Sequence, residues 1–143
     1  MTGTIRPYVA DDLGDLLEVW YEASLVAHPF LSSEFLAAER RRIEEEWIVI
    51  AETMVCDVDG RLVGFLSLLG NEVGAIFVHP AFQRRGIGRS LMDRARAARP
   101  HLELDVFEAN MAGRRFYEEY GFRVVGEHVH DETGQVEVRM RLD

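Results

Sequence analysis

The segment that most constrains this chain is a glycine-containing loop between an apolar strand and an amphipathic helix. The loop spans residues 83–88 (QRRGIG) and follows the apolar run at residues 73–78. The next segment carries Leu91, Met92 and Ala95 at helical spacing. A strand, a loop and a helix start in this order place backbone N–H groups at the positive end of a helix, where they bind phosphate. The sequence therefore predicts a protein that binds a phosphate-bearing cofactor.

Length and composition predict one globular domain. The chain has 143 residues, of which 48% are hydrophobic and 29% charged, so we expect residues 1–143 to form a single domain with an ordinary core. No apolar run reaches the roughly 18 residues of a membrane span, and the first residues do not resemble a signal peptide. Cys56 is the single cysteine and has no partner for an internal disulfide, and no Cys/His cluster has zinc spacing. We therefore expect a cytoplasmic protein with no metal site and no membrane contact.

Charge is distributed unevenly along the chain. The net charge of −9 argues against nonspecific nucleic-acid binding, so we expect no nucleic-acid partner. Between Val73 and Met92 there is no acidic residue, whereas Arg84, Arg85 and Arg89 all fall there. This basic island on the glycine loop favours a polyanionic cofactor.

Hydrophobic periodicity predicts the element order β-α-α-β-β-β-α-β-α-β-β. Asp59-Gly60 between two strand-like runs is a strong hairpin signal. The run at residues 73–78 is apolar on both faces, which predicts a central strand. The fold class is thus α/β with a mixed α+β sheet, and not a doubly wound dinucleotide-binding unit. The loop also lacks the lysine of a Walker motif.

Two motifs together resemble the GNAT superfamily of N-acetyltransferases, over nearly the whole chain. Residues 83–88 match the family's Arg/Gln-x-x-Gly-x-Gly/Ala pyrophosphate loop. Asn110, followed by residues 116–122 (FYEEYGF), matches the family's second region. The chain is most similar to small bacterial members that share the segment 28–30 (HPF), whose acceptors are protein lysines or unassigned amines.

The resemblance implies acetyl-CoA as co-substrate. In the family, the strand before the loop splays from the next parallel strand, and the pantetheine arm lies in the gap. Asn110 and Tyr117 are seven residues apart, so on one helix their directions around the helix axis differ by only about 20°. The cofactor contacts implied by the resemblance are Ile76, Phe77, Val78, Gln83, Arg84, Arg85, Gly86, Ile87, Gly88, Arg89, Asn110, Phe116 and Tyr117.

The resemblance also implies direct attack of an amine on the thioester, through a tetrahedral intermediate. We expect a strand bulge near Phe77 and Val78 to give an N–H to the oxyanion. The Tyr117 phenol is expected to protonate the departing sulfur.

The general base and the acceptor pocket are less sharply defined by sequence. Glu72 matches the position of the glutamate base in the histone-acetylating branch of the superfamily, and His28, His79 or a water chain are alternatives. We expect Trp20, His28 and Phe30 to line the acceptor pocket.

Two other functions remain open at this point. One is a non-catalytic acyl-CoA-binding or regulatory module, against which Asn110 and Tyr117 argue. The other is a toxin that acetylates aminoacyl-tRNA, against which the acidic composition argues. The acceptor is a small-molecule or a protein amine, and the chain is a monomer or a homodimer.

Overall fold

A computed structural model describes residues 3–143, and these form one seven-stranded mixed sheet with helices on both faces. The strands are β1 (Thr4–Pro7), β2 (Glu52–Val58), β3 (Arg61–Leu69), β4 (Glu72–Val78), β5 (Leu102–Phe107), β6 (Arg123–Val129) and β7 (Val136–Leu142). The main helices are α1 (Leu13–Ala27), α2 (Ser33–Arg42), α3 (Ile87–Ala98) and α4 (Met111–Tyr120). A π-helical stretch (Ile43–Trp47) and one further turn (Ile48–Ile50) prolong α2. The predicted fold class and element order are confirmed.

The strands lie in the order β1-β2-β3-β4-β5-β7-β6, so β4 is central, as its apolar pattern predicted. All neighbours are antiparallel except β4 and β5, which run parallel. Asp59 and Gly60 have φ of 52° and 83° and join β2 to β3 in a two-residue turn. None of the helices within residues 3–143 is long and apolar enough to cross a membrane.

The bulge in β4 lies at Gly74, so the predicted bulge near Phe77 and Val78 is wrong. Ser67 of β3 pairs with Ala75 and Leu68 pairs with Val73, which leaves Gly74 as the extra residue. A glycine accommodates such a bulge most easily. From Ala75 to Val78 the pairing with β3 is regular.

Two cores cover the two faces of the sheet. The core under α3 and α4 includes Leu91, Met92 and Met140, all fully buried. The core under α1 and α2 includes Leu16 and Trp20. Together they fix the central strands between two helical layers.

Candidate active site

The candidate site is a gap between the two parallel strands. Within residues 3–143, β4 and β5 are in register only at Glu72 and Glu103, where the Glu103 N–H also donates to Asn71 O at 3.0 Å. Beyond this point the strands part toward their carboxyl ends. That end of the sheet is where α3 and α4 begin, and it is where open α/β sheets bind ligands.

One edge of the gap is the free edge of β4. The His79 N–H donates to Val63 O at 2.8 Å. Because hydrogen-bonded and non-hydrogen-bonded pairs alternate along an antiparallel ladder, Phe77 bonds β3, and the backbone of Ile76 and Val78 faces the gap. Of the three β4 residues expected to contact the cofactor through their backbone, Ile76 and Val78 therefore face the gap. The Phe77 amide is already hydrogen-bonded to β3.

The glycine loop leads directly into α3. Arg84 and Gly86 have left-handed φ of 64° and 81°, and no side chain in the described part of the chain caps the helix. The first-turn N–H groups, those of Ile87, Gly88 and Arg89, are thus left for a ligand. The Gln83 amide instead donates to Val78 O at 3.0 Å, so this side chain fastens the loop to β4.

The three loop arginines carry free positive charge. Among residues 3–143, none of Arg84, Arg85 and Arg89 forms a salt bridge. The Arg85 guanidinium lies over the Phe82 ring at 5.0 Å, and that of Arg89 lies 5.4 Å from the Tyr120 ring centroid. Their charges are therefore available to an anion at the start of α3.

The side chains of Ile87 and Phe116 pack behind the loop, while the backbone N–H groups of the first turn of α3 remain free within residues 3–143. Ile87 is 3% exposed and belongs to the core under α3. A Cβ at Gly88 would lie 3.4 Å from the Phe116 ring, at the limit of van der Waals contact, so Phe116 of α4 packs directly on the start of α3. Ile87 and the Gly88–Phe116 contact hold the loop in place from behind.

Tyr117 contributes a phenol to the cleft. The residue is half-buried, and its hydroxyl makes no hydrogen bond to any side chain or backbone group of residues 3–143. Burial raises the pKa of Tyr117, so the hydroxyl stays protonated at neutral pH. This is the form needed by a proton donor.

The gap opens into a cleft of about 340 Å³ between α1, α2 and the β5–β7 side of the sheet. Trp20 and Phe77 are among its apolar walls. Its polar groups include three carboxylates and two histidines in addition to Asn110 and Tyr117. They are Glu39, Asp105, Glu137, His28 and His130.

His28 bridges the two parted strands. Its ring centroid lies 6.3 Å from that of Phe77 on β4 and 5.2 Å from that of Phe107 on β5. Asn110 Oδ1 accepts from the Gly113 N–H at 3.0 Å and so caps α4, which turns its Nδ2 toward His28 Nε2 at 3.3 Å. His28 Nε2 is therefore an acceptor.

The environment of His28 keeps it neutral. Burial lowers its pKa to about 4, so His28 is a wedge between the strands rather than a base at neutral pH. Phe30 packs beside it, 5.8 Å from its ring and 5.4 Å from that of Phe107. Trp20, 4% exposed, forms the floor of the cleft and belongs to the core.

Glu72 is not placed to act as the base, contrary to expectation. Both of its carboxylate oxygens accept from Arg139, at 2.6 Å each, where β4 and β5 are still joined. Its side chain is outside the cleft. His79 Nδ1 accepts from the Ala81 N–H at 3.1 Å and serves the turn after β4.

Sequence reasoning missed the charged row on β5, β6 and β7. Atoms of Asp105, His128 and Glu137 lie within 4.8 Å of one another, and Asp105 and Glu137 both line the cleft. The alternation of charged and apolar residues on β5 and β7 was the available signal. It shows which side of the sheet the charged residues share, but not which of them contact one another. Those partners come from three different strands.

Comparison with known proteins agrees with this geometry. The profile of the GNAT acetyltransferase domain matches residues 49–124. The chain is 34% identical to peptidyl-lysine N-acetyltransferase YiaC of Escherichia coli over 90% of this chain and 89% of that protein. It is 28% identical to peptidyl-lysine N-acetyltransferase YjaB of Escherichia coli, over 94% and 92% of the two chains.

Solved structures give the same result for the fold. The solution structure of apo YjaB from Escherichia coli superposes with a TM-score of 0.88 at 26% identity, over 99% of this chain and 97% of that one. The PaiA N-acetyltransferase of Thermoplasma acidophilum, solved with coenzyme A, superposes with a TM-score of 0.79 at 23% identity, over 99% and 98%. The chain therefore belongs to the GNAT family of acetyltransferases and is an acyltransferase enzyme.

Proposed function

We propose that this chain moves an acetyl group from acetyl-CoA to a primary amine by direct attack of the amine on the thioester. The observation that carries the proposal is the gap between β4 and β5. One end of the gap meets the uncapped start of α3, and its interior meets Tyr117. Donors for a diphosphate, a free strand edge and a phenol thus lie along one path.

The cofactor end of this path uses backbone groups. The N–H groups of residues 85–89 receive the diphosphate, and Arg84, Arg85 and Arg89 supply the balancing charge. The backbone of Ile76 and the N–H of Val78 extend the β4 edge to the amides of the pantetheine arm, since the Val78 carbonyl already accepts from Gln83. Family membership supports this arrangement, since the GNAT profile runs from just before β2 to the start of β6 and includes the whole loop.

The reacting end uses Tyr117 and a β4 amide. An N–H on the gap side of β4 stabilises the developing oxyanion. The neutral Tyr117 phenol gives its proton to the departing thiolate. This route requires no nucleophile from the enzyme. Cys56 is only 1% exposed and lies in the core, away from the cleft.

The acceptor end is acidic and aromatic. Carboxylates of Glu39, Asp105 and Glu137 line the cleft beside Phe77 and Phe107, a combination that attracts alkylammonium groups. Two relatives are named peptidyl-lysine N-acetyltransferases. We therefore favour a protein lysine as acceptor.

The first test is acetyl-CoA turnover on an amine panel that includes lysine peptides. Release of free CoA measures the rate, and mass spectrometry identifies the acetylated product. The chain contains no lysine, so any acetyl-lysine in the mixture comes from the acceptor. Acetylated peptide is the expected result. Binding of acetyl-CoA without turnover on any amine would instead identify a regulatory module, and salt-sensitive acetylation of aminoacyl-tRNA would identify the toxin activity.

The second test measures amide hydrogen exchange along β4. Without ligand, the Phe77 amide is protected by β3, and those of Ile76 and Val78 exchange faster. Coenzyme A is expected to slow exchange at Ile76 and Val78 and to leave Phe77 nearly unchanged. Equal exchange at all three positions, with and without coenzyme A, would contradict the proposed seat of the pantetheine arm.

A further inference from the structure

Of the three carboxylates in the cleft, one has no arginine partner in the part of the chain that the structure describes. Arg42 donates to Glu39 at 3.1 Å, and Arg139 Nη1 lies 3.4 Å from Asp105 Oδ2. Within residues 3–143, the ion-pair partner of Glu137 is His128, whose Nε2 lies 3.1 Å from Glu137 Oε1. The guanidinium of an arginine stays charged at every working pH and so keeps occupying its carboxylate, although burial still raises the pKa of Glu39. An imidazole partner can lose its charge, which leaves the carboxylate able to bind another cation.

The position of Glu137 on β7 matches the open part of the gap. Glu137 is paired across the ladder with Phe107, the last residue of β5, where β4 and β5 have parted. Arg139, two residues further on, binds Glu72 at the joined end. The strand β7 thus places a positive charge where the parallel strands meet and a negative charge where the cleft opens.

The neighbouring strand fixes the Glu137 carboxylate. His128 lies directly opposite on β6 and binds Oε1, which leaves Oε2 for another partner. The Glu137 side chain is 15% exposed and that of His128 is 47% exposed. The carboxylate is therefore sheltered in the cleft, while the group that orients it reaches solvent.

We propose that Glu137 binds the alkylammonium of the acceptor and removes its proton, and that His128 is its positioning residue. This inference rests on the proposed function. The ammonium first gives one proton to Glu137. The neutral amine then forms the C–N bond and the C–S bond breaks. Tyr117 protonates the thiolate, the second amine proton returns to the Tyr117 phenolate, and Glu137 releases its proton to solvent.

The test is the Glu137→Gln variant on a lysine peptide, with Glu127→Gln as matched control. Glu127 lies next to His128 on the same exposed strand, opposite Val138, and contributes nothing to the cleft. We expect Glu137→Gln to lower kcat/KM about 100-fold and to leave the acetyl-CoA Kd within about twofold of wild type. Glu127→Gln is expected to retain wild-type kcat/KM.

Two further arms separate a base from a structural residue. A peptide with thialysine, whose ammonium is more acidic than that of lysine, is expected to lose less rate in Glu137→Gln than the lysine peptide does. His128→Leu is expected to lower kcat in wild type and to have little further effect in the Glu137→Gln background, because His128 acts through Glu137. His128→Gln, which keeps a donor, is expected to restore part of the rate.

Defined results overturn the inference. A wild-type enzyme that acetylates lysine peptides, together with a Glu137→Gln variant within threefold of it, overturns this proposal and leaves the proposed function standing. A wild-type enzyme that acetylates no amine overturns both. Wild-type turnover that EDTA abolishes and zinc restores would assign Asp105, His128 and Glu137 to a metal instead, and also overturns it.

Discussion

Two tyrosines on α4, three residues apart in sequence, are expected to differ in role, Tyr117 in catalysis and Tyr120 in stability. Tyr117 lines the cleft, and its hydroxyl has no hydrogen-bond partner within residues 3–143. The Tyr120 hydroxyl donates to Asp93 Oδ1 at 2.5 Å, and its residue is 9% exposed. Replacing each in turn with phenylalanine removes one oxygen atom from the same helix, with opposite expected effects.

The magnitudes follow from what each oxygen contacts. Tyr120→Phe loses a hydrogen bond to a carboxylate at a buried site, which costs about 1.5 kcal/mol. For a chain of this length, that lowers Tm by about 5 °C. Tyr117→Phe breaks no protein hydrogen bond and keeps its ring contacts with Phe116 and Phe122, so its stability stays within about 0.5 kcal/mol of wild type. Loss of the proton donor lowers kcat about 100-fold.

For both variants, Tm is measured by thermal unfolding. Turnover of acetyl-CoA on a lysine peptide is measured at 25 °C. We expect Tyr117→Phe to fold like wild type with little turnover, and Tyr120→Phe to melt early with turnover within twofold of wild type. If Tyr117→Phe keeps full kcat, the phenol is not the acid. If both variants lose equal activity, the loss reports the packing of α4 rather than proton transfer.

The remaining predictions concern the wedge, the joined strands and the loop. Since burial lowers the pKa of His28 from 6.5 to about 4, the unfolded chain binds a proton there that the folded chain does not. Stability is therefore expected to fall by up to about 3 kcal/mol as pH drops from 6.5 to 4, and urea titrations should show a smaller loss for His28→Gln but not for His101→Gln. Glu72→Gln breaks the half-exposed pair with Arg139 and is expected to cost about 1 kcal/mol while kcat stays within threefold, whereas a 100-fold loss of kcat would restore Glu72 as the base. Gly86→Ala forces a Cβ at φ of 81°, costs about 1 kcal/mol, and is expected to weaken acetyl-CoA binding in calorimetry, so unchanged binding would contradict the role of the loop.

Local patterns in the sequence were sufficient for the order of the elements and for the central place of β4. The Asp59-Gly60 turn, the two-sided apolar pattern of β4 and the alternation along β7 each depend on neighbours in the chain, and each is confirmed. The glycine loop was found for the same reason, because a left-handed turn before a helix has a local signature. The bulge at Gly74 also has a local signal, a single glycine within a strand, whereas the expectation placed the bulge near Phe77 and Val78.

Side-chain partners in the cleft could not be predicted, because they join distant parts of the chain. Glu72 and Arg139 are 67 residues apart, and His28 and Asn110 are 82 apart. A carboxylate that reads as a base in the sequence becomes an ion-pair partner once β7 is placed beside β5. A histidine that reads as a base becomes a neutral wedge once two phenylalanines bury it.

Complete hydrogen bonding of the backbone is the ordinary state of a folded chain, so its exceptions carry information. Ser32 caps α2, Asn110 caps α4, and α1 continues the 3-10 turn Ala10–Asp12 without a side-chain cap of its own. Among the described residues, α3 differs from these helices because it starts at the left-handed Gly86 with neither a side-chain cap nor a helical turn directly before it. Every neighbouring strand pair is joined over most of its length except β4 and β5. The uncapped start of α3 and the parted ends of β4 and β5 lie at the same end of the sheet, beside one gap. A single ligand that carries a diphosphate and an amide-bearing arm would use both sets of unpaired backbone groups, so their coincidence supports one binding site rather than two separate irregularities.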